Sequence, residues 1–265
     1  MLIDFHTHCF PNKLVARAME VLERNSGNIQ PQTDGTADGI LRHLDQHGLD
    51  KAVVLNIATN PKQQHNVNDF AAAINSQRLI AFGSVHPDAP DCIDELYRIR
   101  EMGLKGIKLH PEYQDFYVDA DKMLNIYETA DKLDLIVSFH AGVDIQYFEP
   151  VHNTPERMAH ILPAFTKGRV VAAHMGGWQL WHEVEKHLVG KNLYLDTAFC
   201  YANMPAPHAK RIVKRHGADK ILFGSDLPWS SSGLTRRFVE SWGLSPDEYA
   251  AVMGGNAARL LGLTE

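Results

Sequence analysis

The sequence predicts an α/β protein in which eight parallel strands alternate with helices. Short apolar runs of about four to seven residues, rich in Val, Ile, Leu and Phe, recur along the chain between Gly, Asp, Asn or Pro residues. Continuous apolar character of this length is typical of strands that are buried on both faces of a parallel sheet. Longer segments with helical spacing separate the runs. The 265 residues, 45% of them hydrophobic, are enough to bury a sizeable core.

The eight predicted strands follow one another along the whole chain. They are Leu2–Phe5, Ala52–Leu55, Leu79–Val85, Gly106–Leu109, Leu135–Phe139, Val170–Ala173, Leu193–Leu195 and Ile221–Phe223. The helical segments between them are Ala37–His47, Gln63–Ser76, Ile93–Met102, Ala120–Lys132, Pro155–Phe165, Gln179–Val189 and Pro207–His216. Each strand and its helix occupy about 31 residues, which is roughly the length of a βαβ unit.

Eight strand–helix units of this length predict one (β/α)8 TIM-barrel domain over residues 1–265, with a short C-terminal helical tail. A doubly wound open sheet is the alternative, but no Gly-rich phosphate-binding motif follows any strand. Helix-end residues agree with the assignment. Thr154 before Pro155 is a predicted N-cap, and Ser245 with Glu248 has the form of a capping box. Asn256 is predicted to cap a last helix, which Gly262 ends.

The charge balance and the cysteine pattern argue against several classes of function. Lys and Arg number 26 against 32 Asp and Glu, giving a net charge of −6, which argues against broad binding of nucleic acid or anionic membranes. The three cysteines form no CxxC pair, and the N-terminus lacks a signal-peptide pattern. We expect a cytoplasmic protein that acts on a small-molecule substrate. A homodimer is compatible with the sequence.

Histidine is the unusual feature, with 15 in the chain. Strand one ends in His6-Thr7-His8, strand five at His140, strand six at His174 and strand eight near Asp226. In a barrel these strand ends meet at one rim, where active sites of this fold lie. Imidazoles with one carboxylate suit Zn, Fe, Mn or Ni, and ligands from distant strands without cysteine favour a catalytic metal site.

The other histidines carry weaker expectations. His86 ends strand three and is expected to shape a pocket wall, whereas His110 ends strand four and is a candidate for binding substrate. The remaining nine are expected on the surface or on helix faces. Aromatic residues follow several strands and weakly suggest a planar or cyclic organic acid as substrate. They are Tyr113, Phe116, Tyr117, Tyr147, Phe148, Trp178, Phe199, Tyr201 and Trp229.

Together these motifs resemble the amidohydrolase superfamily. The closer similarity is to the amidohydrolase-related (amidohydrolase 2) branch, which includes aminocarboxymuconate-semialdehyde decarboxylase-like proteins and lactone hydrolases. The similar segments cover nearly the whole chain. They are His6-x-His8, Gly106-Ile107-Lys108-Leu109-His110-Pro111, Ala173-His174-Met175-Gly176-Gly177, Phe223-Gly224-Ser225-Asp226-Leu227-Pro228 and Gly255-Asn256-Ala257-Ala258-Arg259-Leu260.

The resemblance implies one divalent metal, zinc in the first instance, with Mn, Fe or Ni as alternatives. Its implied ligands are His6, His8, His140 and Asp226. His174 is implied as a catalytic residue beside the metal, with a further ligand as the alternative. Lys108, His110 and Trp178 are expected to bind substrate. A binuclear site bridged by a carboxylated Lys108 stays open.

The expected reaction is hydrolysis of an amide, lactone or ester bond of a small, carboxylate-bearing molecule by metal-activated water. Asp226 is expected to take the proton from that water, and His174 is expected to hold or protonate the oxygen on which charge develops. The alternative is a non-oxidative decarboxylase or hydratase of an unsaturated or aromatic carboxylic acid, because fold and metal do not fix the chemistry. A non-catalytic metal-binding scaffold is the third interpretation.

Overall fold

The computed structural model describes residues 1–27 and 29–263 and contains every predicted strand. The strands are β1 (Ile3–Thr7), β2 (Lys51–Leu55), β3 (Leu79–Phe82), β4 (Gly106–Leu109), β5 (Ile136–Phe139), β6 (Val170–Ala172), β7 (Tyr194–Asp196) and β8 (Ile221–Leu222). The α-helices are α1 (Val15–Asn25), α2 (Ala37–His47), α3 (Gln64–Ile74), α4 (Cys92–Glu101), α5 (Leu124–Lys132), α6 (Pro155–Ile161), α7 (Trp181–His187), α8 (Ala206–His216), α9 (Ser232–Glu240), α10 (Pro246–Ala250) and α11 (Asn256–Leu261). Within the described ranges, no helix combines the length and the apolar character that crossing a bilayer requires.

Helices α1 and α9 lie outside the predicted set because their sequence signals are weak. α1 has no side-chain cap and no acidic residue in its first turn. α9 buries Ser232 and Thr235 among its apolar residues, which obscures the apolar periodicity of its inner face.

The predicted helix ends are confirmed with one correction. The Thr154 side chain accepts the Arg157 N–H at the start of α6, and Ser245 with Glu248 forms a complete capping box. Asn256, by contrast, caps nothing. It lies inside α11, and its side-chain amide donates to the carbonyl oxygens of Ala218 and Ile221, both at 2.7 Å. The side chain that a capping role needs is thus engaged by two distant carbonyl oxygens.

The chain forms two compact units, each built from separate segments. Unit 1 comprises Met1–Val54, Ser76–Ile80 and Asp196–Glu265, and unit 2 comprises Leu55–Asn75 and Ala81–Leu195. The chain passes from one unit to the other within β2, between α3 and β3, within β3 and within β7. The single domain over residues 1–265 stays a prediction.

In unit 1, β1 is the central strand. It pairs in parallel with β2, with Ile3 opposite Lys51 and Asp4 opposite Ala52. On its other side the Phe5 N–H donates to the Phe223 carbonyl oxygen at 2.7 Å. All five β1 residues are buried, so the strand lies in the core of unit 1, and His6 near its C-terminal end is buried with it.

In unit 2, β4, β5, β6 and β7 pair in parallel in that order. Every described residue of these strands that lies in unit 2 is buried. Gly106 is required at the start of β4, because an added Cβ would lie 2.4 Å from the Ile136 carbonyl oxygen. Since parallel strands end at the same edge of a sheet, the residues after β4, β5 and β6 emerge on one side of unit 2.

Candidate functional site

In unit 1 the structure brings three of the predicted metal ligands together. The Nε2 atoms of His6 and His8 are 3.1 Å apart. Asp226 Oδ1 lies 3.3 Å from His6 Nε2 and 3.2 Å from His8 Nε2. The three ligand atoms therefore form a nearly equilateral triangle, with His6 buried and the other two side chains mostly buried.

Backbone hydrogen bonds between the end of β1 and the segment after β8 fix this triangle. The Asp226 N–H donates to the His6 carbonyl oxygen at 2.8 Å, and the His8 N–H donates to the Leu227 carbonyl oxygen at 2.7 Å. Asp226 has a φ of 78°, a left-handed conformation that costs a non-glycine residue on the order of 1–3 kcal/mol. Strain of this kind persists where the surrounding structure holds the residue in place.

Asp196, at the end of β7, is a member of this site that the sequence analysis missed. Its Oδ2 lies 2.8 Å from His6 Nδ1, and the side chain is fully buried. A carboxylate at Nδ1 holds the proton on that nitrogen and leaves the Nε2 lone pair directed to the triangle. The signal was present, because an acidic residue directly ends the seventh predicted strand. We call His6, His8, Asp196 and Asp226 the unit 1 group.

The donor set of the unit 1 group fits a divalent metal. Ligand atoms bound at 2.0–2.1 Å to a tetrahedral ion lie about 3.3 Å from one another, and the triangle has edges of 3.1–3.3 Å. Two imidazole nitrogens and a carboxylate oxygen are ligands that suit Zn, Mn or Fe. The Asp196–His6 pair adds the carboxylate–histidine arrangement that commonly supports metal ligands.

The Asp4 side chain stabilises the backbone on both sides of the unit 1 group. Its Oδ1 accepts the N–H groups of Ser225 at 2.9 Å and of His6 at 3.2 Å, while its Oδ2 accepts the Ser232 hydroxyl at 2.9 Å. Complete burial raises the pKa of Asp4 to about 6, although these hydrogen bonds act in the opposite direction. Ser232 also lies 3.0 Å from the Nε2 of His43, one of the nine histidines without an assigned role.

In unit 2 the structure brings together His110, His140 and His174. His140 Nδ1 and His174 Nε2 are 3.1 Å apart. The rings of His110 and His140 are stacked, with centroids 4.2 Å apart and planes inclined by 13°. Tyr113 stacks with His110 at 3.8 Å. Like Asp226, His174 adopts a left-handed conformation, with a φ of 58°.

Two buried carboxylates beside His110 were also missed by the sequence analysis. Glu112 Oε2 lies 3.8 Å from His110 Nδ1, and Asp144 Oδ2 lies 3.6 Å from His110 Nε2. Burial, with a smaller contribution from Asp144, raises the pKa of Glu112 to about 7. Their sequence signal was weak, because an acidic residue in a loop is ordinarily a solvated one. We call His110, His140, His174 and Asp144 the unit 2 group.

The other predicted site residues have these positions. Lys108 is fully buried on β4 opposite Ser138, and Trp178 is mostly buried, with its backbone paired to Ala141 and Val143. Their contact with substrate stays a prediction, as does the bridging carboxylated lysine.

His86 is buried after β3, and its Nδ1 accepts the Asp88 N–H. Thus His6, His8 and Asp226 meet in unit 1, whereas His140 and His174 belong to unit 2; the complete ligand set stays a prediction.

Comparison with solved structures identifies the fold. The chain is similar to 5-carboxyvanillate decarboxylase LigW from Sphingomonas paucimobilis, with 17% identity, a TM-score of 0.74 and 99% of each chain covered. It is also similar to a dihydroxybenzoic acid decarboxylase from a Polaromonas species, solved with manganese and the inhibitor 2-nitroresorcinol, with 16% identity, a TM-score of 0.71 and 98% and 96% coverage. An uncharacterised TIM-barrel protein from Bordetella bronchiseptica gives 20% identity, a TM-score of 0.73 and 98% coverage of both chains. The predicted α/β TIM-barrel fold is confirmed by these similarities.

Sequence comparison identifies the family. No curated protein matches the chain at a significant level. A family model described as amidohydrolase (Amidohydro_2) matches residues 3–263. The match spans every strand and includes all the residues of the unit 1 and unit 2 groups. The chain therefore belongs to the amidohydrolase family.

Proposed function

We propose that this protein is a metal-dependent, non-oxidative decarboxylase of a small aromatic or unsaturated carboxylic acid. The observation that carries the proposal is the ligand triangle of His6, His8 and Asp226, supported by Asp196, in a chain of the amidohydrolase family. The alternative stated from sequence thus becomes the main proposal. Its support over hydrolysis comes from solved structures of the same fold, two of which are described above as decarboxylases.

His6, His8 and Asp226 would hold one divalent metal, and His140 stays the predicted fourth ligand. When bound, the metal supplies a Lewis acid that polarises an oxygen of the substrate or of water. The sequence favours zinc, whereas the Polaromonas structure contains manganese, so both ions belong in the tests.

Decarboxylation in this proposal needs one proton and no oxidant. The bond between the carboxylate carbon and the ring or alkene carbon breaks, and its electron pair stays on the latter carbon. That carbon takes up a proton and CO2 leaves. We assign the proton transfer to His174, whose Nε2 lies 3.1 Å from His140 Nδ1 and whose backbone is held by the Trp181 indole N–H at 3.1 Å.

Hydrolysis of a lactone, ester or amide is the second candidate function, since the family description itself names amidohydrolases. The same residues can serve either reaction, because the fold and the metal do not determine which bond of the substrate reacts. We also propose a cytoplasmic location, consistent with three free cysteines, and a small-molecule substrate as partner, with a homodimer as a compatible assembly.

The test is a substrate screen with the purified chain, loaded with Zn²⁺ or Mn²⁺ or treated with chelator. The panel contains hydroxybenzoates, unsaturated dicarboxylic acids and lactones, and CO2 release and ring opening are measured separately. We expect metal-dependent CO2 release from at least one acid. Lactone opening without any CO2 release would favour the hydrolase, and an inactive chain that retains metal would favour the scaffold.

His174→Gln is the matching active-site variant. We expect kcat to fall about 10²- to 10⁴-fold with the metal content unchanged, because general acid catalysis contributes that much. His160→Gln, a change of the same chemistry at an exposed residue of α6, is the control and should keep full activity. Loss of metal from His174→Gln would make His174 a ligand instead.

A further inference from the structure

A chain of hydrogen-bonded side chains connects helices α2 and α9 to the backbone of the unit 1 group. Ser232 of α9 lies at its centre. The Ser232 hydroxyl oxygen is 3.0 Å from the Nε2 of His43 on α2, and the hydroxyl donates to Asp4 Oδ2 at 2.9 Å. All three side chains are buried, and neither helix carries a predicted metal ligand. The chain therefore links the site to two elements outside it.

The protons available to these groups set the direction of the chain. Asp4 Oδ1 accepts two backbone N–H groups, and its Oδ2 accepts the single proton of the Ser232 hydroxyl. The Ser232 oxygen therefore meets His43 as an acceptor, which requires the proton of the neutral imidazole to lie on Nε2. Burial, with a smaller contribution from His47, lowers the pKa of His43 to about 4, so the ring is neutral at pH 7.

Serine, histidine and aspartate are also the residues of a nucleophilic triad, but their order here is different. In such a triad the serine gives its proton to the histidine, and the carboxylate binds the other side of the imidazole. Ser232 instead lies between the other two side chains and gives its proton to Asp4. The exposed fractions of Ser232 and Asp4 are 1% and 0%, so the hydroxyl is closed to a substrate. The arrangement suits a structural role at the site and not attack on a substrate.

Asp4 joins the two segments that carry the metal ligands. Its Oδ1 accepts the N–H of His6 at 3.2 Å and the N–H of Ser225, the residue before Asp226, at 2.9 Å. One oxygen atom thus fixes the end of β1 to the segment after β8. The terminal torsion of an aspartate has broad minima, so a second bond is needed to hold the carboxylate plane. Ser232 supplies that bond at Oδ2.

Helices α2 and α9 are in close contact beside this chain. Ser232 is the first residue of α9, and His43 lies on the buried side of α2. The Arg236 guanidinium of α9 donates to the His47 carbonyl oxygen at 3.1 Å. A Cβ added to Gly233 would lie 3.1 Å from His47 Cε1, which is a tight approach. The contact between the helices therefore sets the distance between Ser232 and His43.

We propose that Ser232 and His43 are positioning residues for the metal that the unit 1 group would hold. His43 Nε2–H donates to the Ser232 oxygen, and the Ser232 hydroxyl donates to Asp4. Asp4 in turn fixes the backbone of His6 and Ser225. Neither positioning residue is a ligand, and both act by keeping the ligand triangle at a size that suits one ion. The inference rests on the metal site of the proposed function and not on the bond that the substrate breaks.

The test compares metal affinity between variants of the purified chain, measured by competition with a chromophoric chelator. Ser232→Ala removes the hydroxyl. His43→Phe removes the donor and keeps an aromatic ring, whereas His43→Gln removes the ring and keeps an N–H that can reach Ser232. Ser241→Ala is the matched control, because the Ser241 hydroxyl, at the other end of α9, donates to the Phe238 carbonyl oxygen.

We expect Ser232→Ala and His43→Phe each to lower the affinity for Zn²⁺ about tenfold, as loss of an outer-shell partner does. The visible absorption of bound Co²⁺, which depends on ligand geometry, should change in the same two variants. His43→Gln and Ser241→Ala should stay within about threefold of the wild type. The double variant Ser232→Ala/His43→Phe should bind as Ser232→Ala does, because both residues act through one chain. In the metal-free wild type, ¹⁵N NMR should show the His43 proton on Nε2.

Four results would overturn the inference. They are an unchanged affinity in both Ser232→Ala and His43→Phe, an equal loss in His43→Phe and His43→Gln, additive losses in the double variant, and a His43 proton on Nδ1. If Ser232→Ala does not fold, the two His43 variants and the NMR measurement still decide. The proposed function fails in a different way, namely when a wild type that binds metal releases no CO2 from any acid. The affinities of the variants remain comparable in that case.

Discussion

The histidines of the two units make contact in different ways. In the unit 1 group they meet through their atoms, because nitrogens and carboxylate oxygens lie 2.8–3.3 Å apart. In the unit 2 group His140 Nδ1 and His174 Nε2 are also 3.1 Å apart, but His110 meets its neighbours through its faces, with ring centroids 3.8 Å from Tyr113 and 4.2 Å from His140. Converging atoms suit an ion, whereas stacked rings suit a flat organic molecule. The two groups therefore differ in how their histidine rings are arranged.

The carboxylates differ in the same way. Asp196 lies 2.8 Å from His6, a hydrogen bond that fixes the tautomer of a ligand. Glu112 and Asp144 stand 3.6–3.8 Å from His110, too far for such a bond. The Asp196 carboxylate is thus arranged to support a positive charge beside His6, whereas Glu112 and Asp144 lie next to His110 beyond the distance of a direct hydrogen bond to it.

The largest effect is expected from removing a ligand of the unit 1 group. Asp226→Ala and His8→Ala should each lose most of the bound metal and lower kcat/KM by at least about a thousandfold, because the metal carries the Lewis-acid chemistry. Elemental analysis of protein purified without chelator measures the metal content. His110→Phe in unit 2 is the contrast and should retain the metal. The same measurement on His140→Ala tests the predicted fourth ligand.

Metal content that stays unchanged in Asp226→Ala and His8→Ala would remove the basis of the comparison, since the triangle would then be only a hydrogen-bonded cluster. Loss of metal from His110→Phe would equally contradict it, because a histidine outside the predicted ligand set would then be needed to hold the metal.

The sequence predicted what depends on local pattern. Apolar runs identified the eight strands, and their positions placed His6, His8, His110, His140 and His174 at strand ends. What it missed depends on contacts between distant residues. Asp196 directly follows the seventh predicted strand, but His6 is 190 positions away, so the local pattern does not indicate that the two side chains pair. Likewise, Asn256 has the residue type of a helix cap, but its amide donates to the carbonyl oxygens of Ala218, before β8, and of Ile221, the first residue of β8.

Glu112 offers a pH-dependent test of the unit 2 environment. Burial raises its pKa from 4.5 to about 7, so the folded state binds the proton more tightly than the unfolded state. Glu112 therefore makes the free energy of unfolding fall as pH rises from about 4.5 to about 7, by on the order of 3 kcal/mol in total. Glu112→Gln removes the ionisation. We expect its free energy of unfolding, relative to the wild type, to increase by that order between pH 5 and pH 8.

Urea unfolding of both proteins at the two pH values measures this difference, and other titrating groups cancel in the comparison. Glu101→Gln, at an exposed position at the end of α4, should show no such change. A difference that is the same at pH 5 and pH 8 would mean that Glu112 ionises as freely as a solvated carboxylate, and would remove the distinction between the carboxylates of the two units.

The smallest expected effect comes from Asp196→Asn, which keeps the shape of the side chain but removes the charge that holds the proton on His6 Nδ1. Partners of this kind typically contribute a factor of about 10 to 100 to metal affinity. We expect metal affinity, measured by competition with a chromophoric chelator, to fall by that factor while the variant still binds one metal per chain at saturation. Asp247→Asn on α10, where the carboxylate is exposed, is the matched control and should bind as the wild type does. An affinity equal to that of the wild type would show that the triangle of His6, His8 and Asp226 is sufficient without support. Complete loss of metal would instead place Asp196 among the ligands themselves.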